Sequence, residues 1–122
     1  VARLLIVDDD EAVLAVMAEA LRNAEFDVES AVNGEQALEQ IRNTRFDLLI
    51  TDILMPEIDG LAIIDKAIAS NQDISVLAIS GGGPDQDGGD LLEAAMLSGA
   101  DAILEKPFLP DELIRTARAL LR

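Results

Sequence analysis

The chain has 122 residues, half of them hydrophobic yet only 2% aromatic, and 24 acidic against 9 basic side chains leave a formal net charge of −15. A chain of this length reads as one domain, residues 1–122, that buries roughly two-thirds of the surface its unfolded form exposes, so its core must be built from Leu, Ile, Val and Ala. The acidic excess argues against binding nucleic acid or anionic lipid, and the lack of Cys and His excludes disulfides, thiolate chemistry, the usual zinc sites and Ser-His-Asp catalysis.

Leu4–Val7 is a short apolar run that reads as a buried parallel strand, and Asp8, Asp9 and Asp10 follow it at once. After Asp10, which suits an N-cap, Val13, Leu14, Met17 and Leu21 recur at helical spacing and predict a helix ending near Asn23. Val28–Ala31 is the second strand-like run. Asn33, with Gln36 three residues on, predicts a capped helix start before Ala37, Leu38 and Ile41. Leu48–Thr51 is the third apolar run and Asp52 ends it. Asp59-Gly60 opens a third helix that carries Leu61, Ile64 and Ile68.

Val76–Ile79 is the fourth run, and Ser80 follows it. The next segment, Gly81–Gly89, has five glycines, one proline and two aspartates. It lacks the Gly-Lys-Ser/Thr ending of a phosphate-binding loop and is acidic, so it reads as a mobile loop. Asp90 with Glu93 predicts a short capped helix stopped by Gly99. Ala102–Leu104 is the fifth run, with Lys106 beyond it. Pro110 suits the first turn of a last helix whose apolar face is Leu113, Ile114, Ala117, Leu120 and Leu121.

Five alternations of strand and helix predict an α/β domain with a parallel sheet covered by helices on both faces. In such a sheet, ligands bind beyond the carboxyl ends of the strands. The polar residues of interest all lie there: Asp8, Asp9 and Asp10 after the first strand, Asp52 after the third, Ser80 after the fourth and Lys106 after the fifth. No apolar run reaches the roughly 20 residues that span a bilayer. With no signal-peptide layout and no cysteine, the expected location is cytoplasmic.

Taken one at a time, these residues have ordinary readings as caps, turns or solvated charges. Together, Asp8, Asp9 and Asp52 stack like charges in one crevice, which is unfavourable unless a cation offsets them. Oxygen ligands alone select a hard cation, and Mg²⁺ with retained waters is the natural choice. A hydroxyl at Ser80 and an ammonium at Lys106 can take the remaining oxygens of a phosphoryl group on Asp52.

The motifs Leu5-Ile6-Val7-Asp8-Asp9, Asp47-Leu48-Leu49-Ile50-Thr51-Asp52 with Met55-Pro56 and Asp59-Gly60, Ser80-Gly81, and Lys106-Pro107-Phe108 occur in order on four strand ends. In this the chain resembles the receiver domain of bacterial two-component response regulators over essentially its whole length. The resemblance implies a doubly wound, flavodoxin-like sheet in the order 2-1-3-4-5. It implies that Asp52 accepts a phosphoryl group from a sensor histidine kinase or phosphotransfer protein, with Mg²⁺ or Mn²⁺ as cofactor. Asp9 would ligate the metal directly, Asp8 largely through water, and Asp52 and the backbone carbonyl of Leu54 would complete the protein's share. Ser80 with Gly81 would form the switching, phosphoryl-binding turn, and Lys106 would pair with the phosphoaspartate. The bond before Pro107 is often cis in the family. The reader of the switch would be a downstream protein, a second copy of the chain, or an output domain beyond it. The surface of the last two helices is the partner face by analogy.

Three features depart from the family pattern. Ile103 stands where many members have Tyr or Phe, so an aromatic rotamer switch is absent and the Gly81–Gly89 loop with the short helix after it is the expected readout. The stretch from Ser80 to Lys106 is a few residues longer than is common. Leu54 and Gly82 offer nothing to orient an attacking water, which predicts slow self-hydrolysis. Two other functions compete. One is a receiver-like binding module that works without phosphorylation. The other is an aspartyl-phosphate phosphatase of the haloacid dehalogenase type, suggested by the Asp8-x-Asp10 spacing; Ala12 and the short chain, with no room for a cap, argue against it.

Overall fold

The computed structural model describes residues 1–53, 60–71, 73–81, 96 and 98–121. In chain order these form β1 (Arg3–Val7), α1 (Glu11–Asn23), β2 (Asp27–Ala31), α2 (Gly34–Asn43), β3 (Leu48–Asp52), α3 (Gly60–Ser70), β4 (Ser75–Gly81), β5 (Ala102–Lys106) and α4 (Pro110–Leu120). All five strands are parallel, in the order β2-β1-β3-β4-β5. This is the doubly wound, flavodoxin-like arrangement expected from the sequence. The strand order reverses at β1, so a crevice opens beyond the carboxyl ends of β1 and β3.

The sheet separates two apolar layers because side chains alternate along each strand. Leu5, Val7, Leu49, Val76 and Ala78 face one layer, with Ala37, Ile41, Ile63, Ile64 and Ala67 from α2 and α3. Leu4, Ile6, Leu48, Ile50, Leu77 and Ile79 face the other, with Leu14, Met17, Ala18 and Leu21 of α1 and Leu113 and Ala117 of α4. Phe46 is the bulkiest fully buried side chain; apart from Met17 the rest of the buried core among the described residues is aliphatic, as so aromatic-poor a chain requires. The sheet edge at β5 is half-open, with Glu105 exposed. Among the described residues no helix is long and apolar enough to cross a membrane.

Local signals account for the helix starts. Asp10 caps α1 by accepting from the Ala12 and Val13 N–H groups at 3.0 and 3.2 Å. Asn33 caps α2 by accepting from the Gln36 N–H at 2.8 Å. The return arm differs from the expected box: Gln36 Oε1 accepts from Val32 N–H at 3.1 Å, one residue ahead of the cap. α4 opens on Pro110, whose missing N–H needs no partner there. Gly99 takes φ +113°, a conformation that suits glycine where a chain leaves a helical turn. Its expected partners in the short helix, Asp90 and Glu93, lie outside the described residues, as does Asp59.

Candidate functional site

β1 delivers three consecutive aspartates, and the fold puts them to three different uses. The ladder continues one residue past β1, where the Asp8 N–H donates to the Ala31 carbonyl at 3.2 Å. This holds the Asp8 side chain inside the crevice, fully buried. Its Oδ1 accepts from the Asp10 N–H at 2.9 Å, and its Oδ2 accepts from Lys106 Nζ at 2.8 Å. Asp9 is exposed. Asp10 spends its carboxylate on the start of α1.

Asp52 ends β3, paired in register with Ile79 of β4, and is only 5% exposed. Its Oδ2 accepts from Lys106 Nζ at 3.1 Å. One carboxylate oxygen from each of Asp8, Asp9 and Asp52 can be chosen so that all three lie within 4.8 Å of one another. Two of these carboxylates are buried and the third meets solvent. That oxygen-only set, open to water on one side, fits a hard divalent ion such as Mg²⁺ or Mn²⁺ that keeps part of its hydration shell.

Lys106 ends β5, opposite Gly81 of β4. Its ammonium bridges Asp8 and Asp52 and so joins two carboxylates that would otherwise repel. Burial, the largest single influence, pulls its pKa down. The hydrogen bonds and negative charges of Asp8 and Asp52 together outweigh it, so the lysine titrates above its ordinary 10.5. The peptide bond from Lys106 to Pro107 is cis.

Ser80, buried, and Gly81 stand at the carboxyl end of β4, on the same sheet edge, without joining the lysine's hydrogen bonds. Ile103 is half-buried on β5, opposite Ala78, and packs against the α2 and α3 layer. Leu54, whose carbonyl was an expected ligand, lies outside the described residues, as do Met55-Pro56 and Gly82–Gly89.

Three features went unread in the sequence. One is the reach of Lys106 to Asp8 as well as to Asp52, since nothing local says that a lysine 98 residues away will meet Asp8. A second is a cleft of about 570 Å³ beside Lys106, between α1 and α4, lined by Val13, Val16, Met17, Pro107, Phe108 and Leu113. The third is the seat of the Asp52 peptide. Thr51, fully buried, donates its hydroxyl to the Asp52 carbonyl at 3.0 Å. Gly60 lies so close to that carbonyl that it has no room for a Cβ. A polar residue in the apolar run Leu48–Thr51 was the available signal.

The family model described as the response regulator receiver domain matches residues 4–118. The transcriptional regulatory protein PrrA of Mycobacterium leprae is 39% identical over 120 residues, which cover 98% of this chain and 50% of that protein. The response regulator MprA of Mycobacterium ulcerans is 37% identical over 120 residues, with the same shares covered. The chain thus spans about half the length of these relatives. Among solved structures, a CheY-like response regulator receiver domain protein from Methanospirillum hungatei superposes with a TM-score of 0.90 at 28% identity, over 99% of this chain and 94% of that one. NtrX from Brucella abortus gives 0.88 at 30% identity, over 98% of this chain and 27% of its own.

Proposed function

Since the chain belongs to the response regulator receiver domain family, we propose that it is a phosphorylation switch whose acceptor is Asp52. The supporting observation is a single one: a buried Asp52 carboxylate shares one ammonium with Asp8 and lies within reach of Asp9. In this reading residues 1–122 form one receiver unit in the cytoplasm. Asp8, Asp9, Asp52 and the Leu54 carbonyl hold Mg²⁺ or Mn²⁺. The bound ion supplies charge neutralisation that lets an anionic phosphoryl donor approach a carboxylate.

An Asp52 oxygen attacks phosphorus, a new P–O bond forms, and the bond from phosphorus to the donor's imidazole nitrogen or acyl oxygen breaks. The electron pair leaves with the donor. Burial of Asp52 limits access of water to the acceptor, and in-line attack needs its carboxylate held in place. Lys106 stays with the added negative charge on the product, while Asp8 would serve the metal. Ser80 and the Gly81 backbone take another phosphoryl oxygen, and their movement signals the change to a downstream protein or to an output domain outside this chain. A sensor histidine kinase or phosphotransfer protein is the donor. The domain catalyses only its own phosphorylation and dephosphorylation. The phosphatase reading is disfavoured because Asp10, its required second acid, is occupied as a helix cap.

The test is mass spectrometry after exposure to acetyl phosphate and Mg²⁺, with Asp52→Ala beside the wild type. One added phosphoryl group that requires both Mg²⁺ and Asp52 is the expected result. Folded wild-type protein that takes no label would favour a module working without phosphorylation. Steady turnover of small phosphate esters would favour an enzyme.

A further inference from the structure

β3 is buried along its whole length, and Thr51 is its one hydroxyl. Thr51 is paired in register with Val7 on one side and Ala78 on the other, both members of the α2 and α3 layer. Valine would fill that place with the same branched shape and no polar group to satisfy. The hydroxyl instead donates to the carbonyl oxygen of the next residue, Asp52, at 3.0 Å.

The chain is held again one peptide further on, and α3 presses back on the Asp52 carbonyl. The Gly60 N–H donates to the Ile53 carbonyl at 3.0 Å. A Cβ on Gly60 would overlap the Asp52 carbonyl oxygen and would lie 2.7 Å from Ile53 Cα. Glycine is thus the residue that lets the start of α3 rest directly on the peptide that leaves Asp52. Ile53 closes the arrangement by donating its N–H to the Ile79 carbonyl of β4 at 3.0 Å.

We propose that Thr51 is a positioning residue for Asp52, acting with Gly60 to fix the plane of the peptide that follows the acceptor and so the direction of its carboxylate. The proposal rests on the reading of Asp52 as phosphoacceptor. Three carboxylates must converge within 4.8 Å while Lys106 touches two of them. A rotation of the Asp52 peptide would displace its oxygens by a sizeable part of that spacing. Rates that depend on an aligned attack are sensitive to displacements of this size.

The experiment compares wild type with Thr51→Val and Thr51→Ser. It measures the labelling rate at saturating Mg²⁺ and acetyl phosphate, Mg²⁺ affinity by calorimetry, and the thermal midpoint. A positioning role predicts that Thr51→Val keeps the wild-type midpoint within a few degrees, yet labels about tenfold more slowly at saturation. Thr51→Ser, which keeps the hydroxyl, should stay within about twofold of wild type. Gly60→Ala, which crowds the same carbonyl, should also slow labelling if it folds. Wild-type labelling by Thr51→Val overturns the proposal. So does equal slowing in Thr51→Val and Thr51→Ser, since the hydroxyl would then not be the cause. A wild type that takes no label would instead remove the acceptor reading. In that case, weaker Mg²⁺ binding by Thr51→Val than by Thr51→Ser would still support the positioning role, and equal binding would overturn it.

Discussion

Lys106 and Asp8 are 98 residues apart in the chain and meet in an ion pair of 2.8 Å at the sheet edge. The carboxylate is almost wholly buried and the lysine three-quarters buried, at 1% and 25% exposure. The same ammonium reaches Asp52 at 3.1 Å. One cation therefore holds together two acids that the fold forces into proximity.

Lys106→Met removes that cation and leaves Asp8 and Asp52 facing each other. Removing one partner of a fully buried pair costs about 3–5 kcal/mol; with the lysine partly solvated, a loss of about 1–3 kcal/mol in the metal-free protein is expected. Uncompensated carboxylates attract a divalent ion more strongly, so Mg²⁺ affinity should rise about 3- to 10-fold. Denaturant titrations with and without Mg²⁺ check both, and millimolar Mg²⁺ should restore most of the lost stability.

The lysine also sets an alkaline limit. Its pKa is raised on folding, so its contribution is fully present below the ordinary value of 10.5 and is lost as pH rises through the folded value. The chain has no Tyr and no Cys, and Lys66 is its only other lysine, so few other groups titrate there. Stability measured by denaturant from pH 9 to 12 should fall on the high side of 10.5, and Lys106→Met should lack most of that fall.

Asp9 and Asp10 are neighbours with opposite expected phenotypes. Asp10→Ala removes the cap of α1 and should lower stability by about 1 kcal/mol, with Mg²⁺ affinity changed less than about threefold. Asp9→Ala removes an exposed carboxylate of the candidate metal set and should leave stability within about 0.5 kcal/mol while weakening Mg²⁺ binding at least tenfold. Calorimetric Mg²⁺ titration and thermal unfolding on both variants separate the two roles.

β4 and β5 are tied at their start by a carboxylate outside the site. Asp101 accepts from the Val76 N–H at 2.7 Å and returns its own N–H to the Val76 carbonyl at 2.8 Å. Asp101→Ala should cost about 1–2 kcal/mol by leaving that strand donor unpaired. Hydrogen exchange at Val76 should quicken, and labelling of Asp52 should persist.

What could be read in the sequence was what is encoded over a few residues. The apolar runs from Leu4 and from Leu48, the caps Asp10 and Asn33, and Pro110 in the first turn of the last helix are local matters of periodicity and hydrogen bonding. The arrival of Asp8, Asp52, Ser80 and Lys106 at one edge followed from parallel strands that all end on the same side. Three things were decided only by the tertiary structure. They are the reach of Lys106 to Asp8 as well as to Asp52, the return of Gln36 to Val32 rather than to Asn33, and the seat of Thr51 and Gly60 on the Asp52 carbonyl. Each depends on distances of a few ångströms between groups set by how strands and helices pack. Side-chain order along a chain specifies which face a residue occupies, whereas the partner it meets there depends on the packing of every element between them.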